Sequence, residues 1–79
     1  MNPRVKKVTA LENYTLEIEF DNGEKGHFSV LPYLDYPVYQ ILKDHSVFSR
    51  AKASMGLVNW DGEIDIDPDR LYLECRMLV

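Results

Sequence analysis

Cysteine occurs once in this chain, at Cys75, so no intramolecular disulfide can form and the folded state has to be held by packing. That suits a reducing compartment, and a cytoplasmic location is expected. Positive charge is also scarce: nine Lys and Arg stand against 13 Asp and Glu, a formal net charge of −4. Nucleic-acid binding is driven by Lys and Arg displacing counterions from a polyanion, and the one basic cluster is Arg4, Lys6 and Lys7. Direct nucleic-acid binding is therefore not expected. No run approaches the roughly 20 apolar residues of a membrane helix, and the positive N-terminus has no apolar segment behind it, so neither a membrane span nor a signal peptide is expected. Repeats, linkers and low-complexity tracts are missing as well. A chain of 79 residues is expected to form one domain, because at this size only about 60 to 65% of the unfolded surface can be buried.

The rest of the composition, 46% hydrophobic and 28% charged, is that of an ordinary globular domain. Residues 4 to 10 alternate weakly, with Val8 and Ala10 on one face, and read as a first strand before a turn at Glu12-Asn13. The second strand is clearer: Tyr14, Leu16, Ile18 and Phe20 alternate with Thr15, Glu17 and Glu19, the period of a sheet with one wet face. A two-residue Asn22-Gly23 loop after it would put Phe28 and Val30 on the face of Glu17 and Glu19. A three-residue Asp21-Asn22-Gly23 loop, with Gly23 left-handed, instead pairs Leu16 with Phe28, Ile18 with Gly26 and Tyr14 with Val30, and is the register expected. It leaves His27 on the polar face.

Pro37 suits the first turn of a helix, and Val38, Ile41 and Leu42 are spaced to cover the sheet from a short helix over residues 38 to 43. Asp44-His45-Ser46 ends it, and Phe48 returns the chain to the core. Met55-Gly56 and Asp61-Gly62 mark turns on either side of a strand containing Val58 and Trp60. Pairing of Ala53 with Val58 sets small residues beside the indole. Glu63 to Ile66 reads as a last short strand with Ile64 and Ile66 inward. Asp67-Pro68-Asp69 then combines an N-cap acceptor, a proline at N1 and an acid facing the positive end of the helix dipole, and Leu71, Tyr72 and Cys75 share one face of the helix it starts. The predicted fold is α+β: a two-layer domain with a mainly antiparallel sheet of five to six short strands, a short central helix and a C-terminal helix.

Five acids in nine residues, Asp61, Glu63, Asp65, Asp67 and Asp69, match loop positions 1, 3, 5, 7 and 9 of an EF-hand. The glycine that such a loop needs at position 6 and the bidentate glutamate at position 12 are here Ile66 and Tyr72, and a strand running into a capped helix explains the same acids. His27, His45 and Cys75 are isolated rather than paired at zinc-ligand spacing. Cys75 has no sequence-local His, and no glycine-rich run precedes a helix with a Lys as a phosphate loop requires. No metal, no cofactor and no catalysis are expected. What remains is binding. Asp61, Glu63 and Asp65 form an acidic group suited to a partner protein that is small and basic, and Tyr33, Tyr36 and Tyr39 crowd the connection after the third strand, where they offer either a recognition surface or a half-buried core edge.

The Phe20 to Glu24 hairpin, Phe48 before a short strand, and Trp60 followed by Gly62, Asp65, Pro68, Asp69, Leu71 and Tyr72 make the chain similar to the bacterial domain-of-unknown-function family 2442 over nearly its whole length. The resemblance implies a small two-layer α+β domain. It also implies two contexts seen among relatives: a domain in front of a helix-turn-helix, and a short protein encoded beside a second small one in the manner of toxin and antitoxin pairs. No helix-turn-helix is expected in these 79 residues, so a regulatory role would act through a partner. The expected function is a protein-interaction module, the antitoxin-like or regulatory member of a two-gene pair; the alternative is an accessory domain of a transcriptional regulator. Calcium titration is expected to leave Trp60 fluorescence and the amide shifts of residues 61 to 69 unchanged, and saturable shifts at sub-millimolar metal would restore the EF-hand interpretation.

Overall fold

The alternation of residues 14 to 20 becomes the second strand of a four-stranded antiparallel sheet. In the computed structural model, which describes residues 2–78, that sheet has the order β1 (Val5–Ala10), β2 (Thr15–Phe20), β3 (Lys25–Ser29) and β7 (Arg76–Met77). A second, three-stranded antiparallel sheet holds β4 (Lys52–Ser54), β5 (Leu57–Trp60) and β6 (Ile64–Ile66). Between them lie a 3₁₀ turn at Leu31–Tyr33, a longer 3₁₀ segment at Pro37–Lys43 and a single-turn helix α1 (His45–Phe48); α2 (Pro68–Glu74) precedes β7. The α+β class is as expected. The single sheet of five to six strands is not: the seven strands divide into two sheets, β1-β2-β3 and β4-β5-β6 forming local meanders on either side of the irregular segment of residues 30 to 51, with β7 returning to the edge of the first.

The β2–β3 register is the expected one, with Leu16 opposite Phe28 and Ile18 opposite Gly26. Phe20 N–H donates to the Glu24 carbonyl at 2.8 Å, closing the three-residue loop, and Gly23 takes φ +89°, a left-handed conformation that glycine adopts at no steric cost. The β2 strand starts one residue later than its apolar pattern suggests. Tyr14 sits in the left-handed region at φ 54°, yet its carbonyl still accepts the Val30 N–H at 2.8 Å and its ring meets Phe48 edge-on with centroids 5.2 Å apart. Weak alternation in β1 has a cause too. A bulge between Val5 and Lys7 shifts the parity, so Val5 faces Phe20 and Val8 faces Ile18 on the same side of the sheet.

The core is one cluster drawn from both sheets and the connections: Leu16, Ile18, Phe20, Phe28 and Val30 with Val58, Trp60 and Ile66, closed by Leu42, Phe48 and Leu71. Each such side chain contributes about 1.5–3 kcal/mol on removal from water. Ala53 faces Val58 and the Met55-Gly56 turn joins β4 to β5, both as predicted. Ile64 is half-buried and Ile66 fully so. The capped helix also forms: the Asp67 carboxylate accepts the Arg70 N–H at 3.3 Å, Pro68 occupies the first turn, and Asp69 stands beside it. A cap of this kind contributes about 0.5–2 kcal/mol.

Two helical expectations need correction. The central helix is 3₁₀ rather than α. Three residues per turn place Tyr36, Tyr39 and Leu42 on one line and Val38 and Ile41 on another, so Leu42 is buried while Val38 and Ile41 are 58% and 56% exposed. The C-terminal helix stops at Glu74. Cys75 turns extended at ψ 146°, and Arg76–Met77 adds an edge strand to β3, with Gly26 opposite Met77 and His27 opposite Arg76. Gly26 makes this possible, since a Cβ there would lie 2.0 Å from Cys75 Sγ and 3.0 Å from the Arg76 carbonyl oxygen. Gly26→Ala is expected to cost about 1–3 kcal/mol in denaturant unfolding through overpacking. Adding Cys75→Ala should recover part of that loss, because it removes the sulfur and leaves the carbonyl contact; strict additivity of the two would contradict the close approach.

Candidate functional site

The motif residues of the tail are tied into the fold. Trp60 is buried, and its indole N–H donates to the Phe48 carbonyl at 2.9 Å. Gly62 takes φ +75° in the turn that Asp61 enters at φ 55°, and its N–H is received by Asn59 Oδ1 at 3.3 Å. Leu71 is fully buried. Tyr72 joins the tail to the β2–β3 hairpin: its ring meets Phe20 edge-on with centroids 5.1 Å apart, and its hydroxyl donates to Glu24 Oε1 at 2.7 Å. The three features on which the family resemblance rests therefore touch one another, and Trp60, Gly62, Asp67, Pro68, Leu71 and Tyr72 act as supports of the fold.

Asp61, Glu63 and Asp65 are all exposed, and they differ in what holds them. Asp61 is engaged, its carboxylate taking both Arg50 Nη2 at 2.9 Å and Arg50 Nε at 3.3 Å, a fork that pins the β5–β6 turn to the end of α1. That pair holds the Asp61 carboxyl below its usual range. Glu63 lies exposed in the same turn. Asp65 lies on β6 opposite Asn59, and its carboxylate has no hydrogen-bonded or ionic partner among the described residues. Among those residues, no three His, Cys, Asp or Glu side chains gather as a metal site.

Asp65 instead belongs with the tyrosines. Tyr33, Tyr36, Tyr39, Asp65, Ile66, Asp67 and Arg70 line an open cleft of about 490 Å³ between the connection and the start of α2. Tyr33 is its inner wall at 9% exposure, stacked on Phe28 with centroids 5.6 Å apart, whereas Tyr36 is 56% exposed and Tyr39 half-buried. Tyr33 is thus core, Tyr39 a core edge and Tyr36 surface. The Tyr39 hydroxyl donates to the Asp65 carbonyl at 3.0 Å, and the Tyr33 hydroxyl donates to Glu74. Burial first, then the Glu74 carboxylate, pushes the Tyr33 phenol above its ordinary pKa; burial and the nearby Asp65 do the same for Tyr39. Arg70 completes the cleft, its guanidinium 5.8 Å from the Tyr33 ring centroid.

Arg70 is the member that reasoning from sequence missed. A signal was present, since a cation in the first turn of a helix opposes the dipole and calls for a partner elsewhere; here the Tyr33 ring and Glu74, 4.0 Å away, supply it. Elsewhere His27 Nε2 lies 3.0 Å from Glu17 on the polar sheet face, and Cys75 is half-buried with its thiol pKa raised by desolvation.

The Tyr72–Glu24 bond has a readable titration. The Tyr72 hydroxyl first, with Asn22, holds Glu24 below its ordinary value of 4.5. A carboxylate with a depressed folded pKa adds stability that is present above the unfolded pKa and lost as pH falls through the folded one. In Tyr72→Phe, carboxyl NMR should show Glu24 titrating closer to 4.5 and the acid limb of the stability profile should flatten; an unmoved Glu24 titration would contradict the assigned cause.

No curated protein and no solved structure matches the chain. A family model described as "Protein of unknown function (DUF2442)" matches residues 5–76, nearly the whole length. With the hairpin and tail motifs meeting at Tyr72 and Glu24 inside that span, the chain belongs to the DUF2442 family.

Proposed function

We propose that the domain is a cytoplasmic protein-interaction module, the antitoxin-like or regulatory member of a two-gene pair, and that it docks its partner on the 3₁₀ connection and the tyrosine cleft beside it. One observation carries this reading. Val38 and Ile41, with Tyr36 next to them, stand more than half exposed on a segment that packs inward through Tyr39 and Leu42. An isolated exposed aliphatic is ordinary, but several on one short segment beside an aromatic cleft have the composition of an interface centre. Tyrosine adds large contact area at low entropic cost.

The net charge of −4 suits a basic partner, through faster encounter more than through added affinity. Asp61 is taken up by Arg50, so the acids left for such a partner are Glu63 and Asp65. The two-gene pairing follows from the context that the family resemblance implies. No helix among the described residues is long and apolar enough to cross a membrane.

Co-purification of the tagged full chain from its native host tests the reading. Wild type should bring down a small basic protein in stoichiometric amount. Val38→Asp with Ile41→Asp should lose it by about fivefold or more while melting like wild type, since both positions are exposed. Recovery with a DNA-binding protein would favour the accessory regulatory role, and a clean monomer with no partner would overturn both.

A further inference from the structure

We propose that the cleft bounded by Tyr33, Tyr36 and Tyr39 is a seat for a cationic side chain, the Lys or Arg of a basic segment in the docked partner, and that Arg70 of this chain partly fills that seat in the free protein. The inference rests on the docking reading above and names the chemistry of its centre.

The three rings are turned against one another rather than stacked flat. Tyr33 and Tyr36 have centroids 6.1 Å apart at 47°, and Tyr33 and Tyr39 lie 6.0 Å apart at 80°. Two of them are fixed by their hydroxyls, Tyr33 on Glu74 and Tyr39 on the Asp65 carbonyl, so the aromatic walls are set in place before any ligand arrives. Tyr36 makes no side-chain hydrogen bond among the described residues and keeps its ring at the mouth. A ring face attracts a cation electrostatically when the charge lies within about 6 Å of the centroid. Arg70, at 5.8 Å from the Tyr33 centroid, shows that this wall accepts a guanidinium.

Charge decides the sign of the ligand. Two carboxylates, Asp65 and Asp67, line the cleft against the single guanidinium of Arg70, leaving it negative by one unit. The Asp67 carboxylate is occupied by the Arg70 N–H, whereas that of Asp65 has no partner among the described residues. An anion drawn to Arg70 would meet both acids and the negative ring faces; a cation meets an unpaired carboxylate and aromatic walls. Arg70 is held chiefly by Tyr33, which raises its pKa, and only weakly by Glu74. Its Glu74 pair is 4.0 Å long and half exposed on both sides, a contact worth little in water, so an incoming cation competes with Arg70 mainly for the Tyr33 wall.

The test titrates a short capped peptide alternating arginine and alanine, and its glutamate counterpart, into the isotope-labelled full chain at low salt. The basic peptide should produce saturable amide shifts confined to residues 33 to 39 and 65 to 70, weakened by added salt, and the acidic peptide should produce none. Tyr36→Ala and Asp65→Asn, both at exposed positions, should each weaken binding about two- to fivefold, and Arg70→Ala should tighten it by a similar factor. Absence of localised shifts, an equal response to the acidic peptide, or weaker binding by Arg70→Ala would overturn the inference. If the peptide leaves the cleft untouched while Val38→Asp with Ile41→Asp still abolishes native co-purification, the cationic seat falls and the docking reading stands.

Discussion

A buried indole N–H must find an acceptor, and in this domain the acceptor is the Phe48 carbonyl, 2.9 Å from Trp60 Nε1. The bond itself contributes on the order of 1 kcal/mol, but its position matters more than its strength. Trp60 closes β5, Phe48 closes α1, and the Phe48 ring also touches Tyr14 at the turn into β2. Three parts that share no strand pairing are thereby fixed around one aromatic pair. The Arg50–Asp61 fork lies just outside it and ties the same two elements again on the wet side.

Much of this was legible because local chemistry and core packing asked for the same thing. Leu16, Ile18 and Phe20 could face inward together with Phe28 only through a three-residue loop, and Asp67-Pro68-Asp69 can hardly be anything but a helix start. Legibility failed where a single period was assumed. Val38, Ile41 and Leu42 satisfy an α-helical stripe on paper, yet at three residues per turn they part company, and Val38 and Ile41 are left outside. The bulge at β1 hid Val5 in the same way. Neither β7 nor the division into two sheets leaves a local mark, since each depends on what lies far along the chain.

The candidate site was half visible. The tyrosines and Asp65 stood out by type and spacing, but nothing in their separation along the sequence, from residue 33 to residue 65, says that they share one cleft. Tertiary contact supplies that, through the Tyr39 hydroxyl on the Asp65 carbonyl. Asp61 and Glu63 looked equivalent to Asp65 by alternation. Asp61 and Gly62 lie in a tight turn, Asp65 on the strand after it, and Arg50 takes the first of the three.

The edge pairing of β7 on β3 also orders events in time. Within each meander the strands are joined by short turns, whose closure is entropically cheap, whereas Gly26 and Met77 are far apart along the chain. Hairpins of the first kind form early in folding, and a two-residue strand with so distant a partner is added only once the core it leans on exists. Interactions made after the folding barrier govern how fast the native state is lost rather than how fast it is reached. The close approach of Cys75 and Arg76 to Gly26 is thus expected to act as a clasp on the finished domain, bearing on its lifetime more than on its rate of assembly.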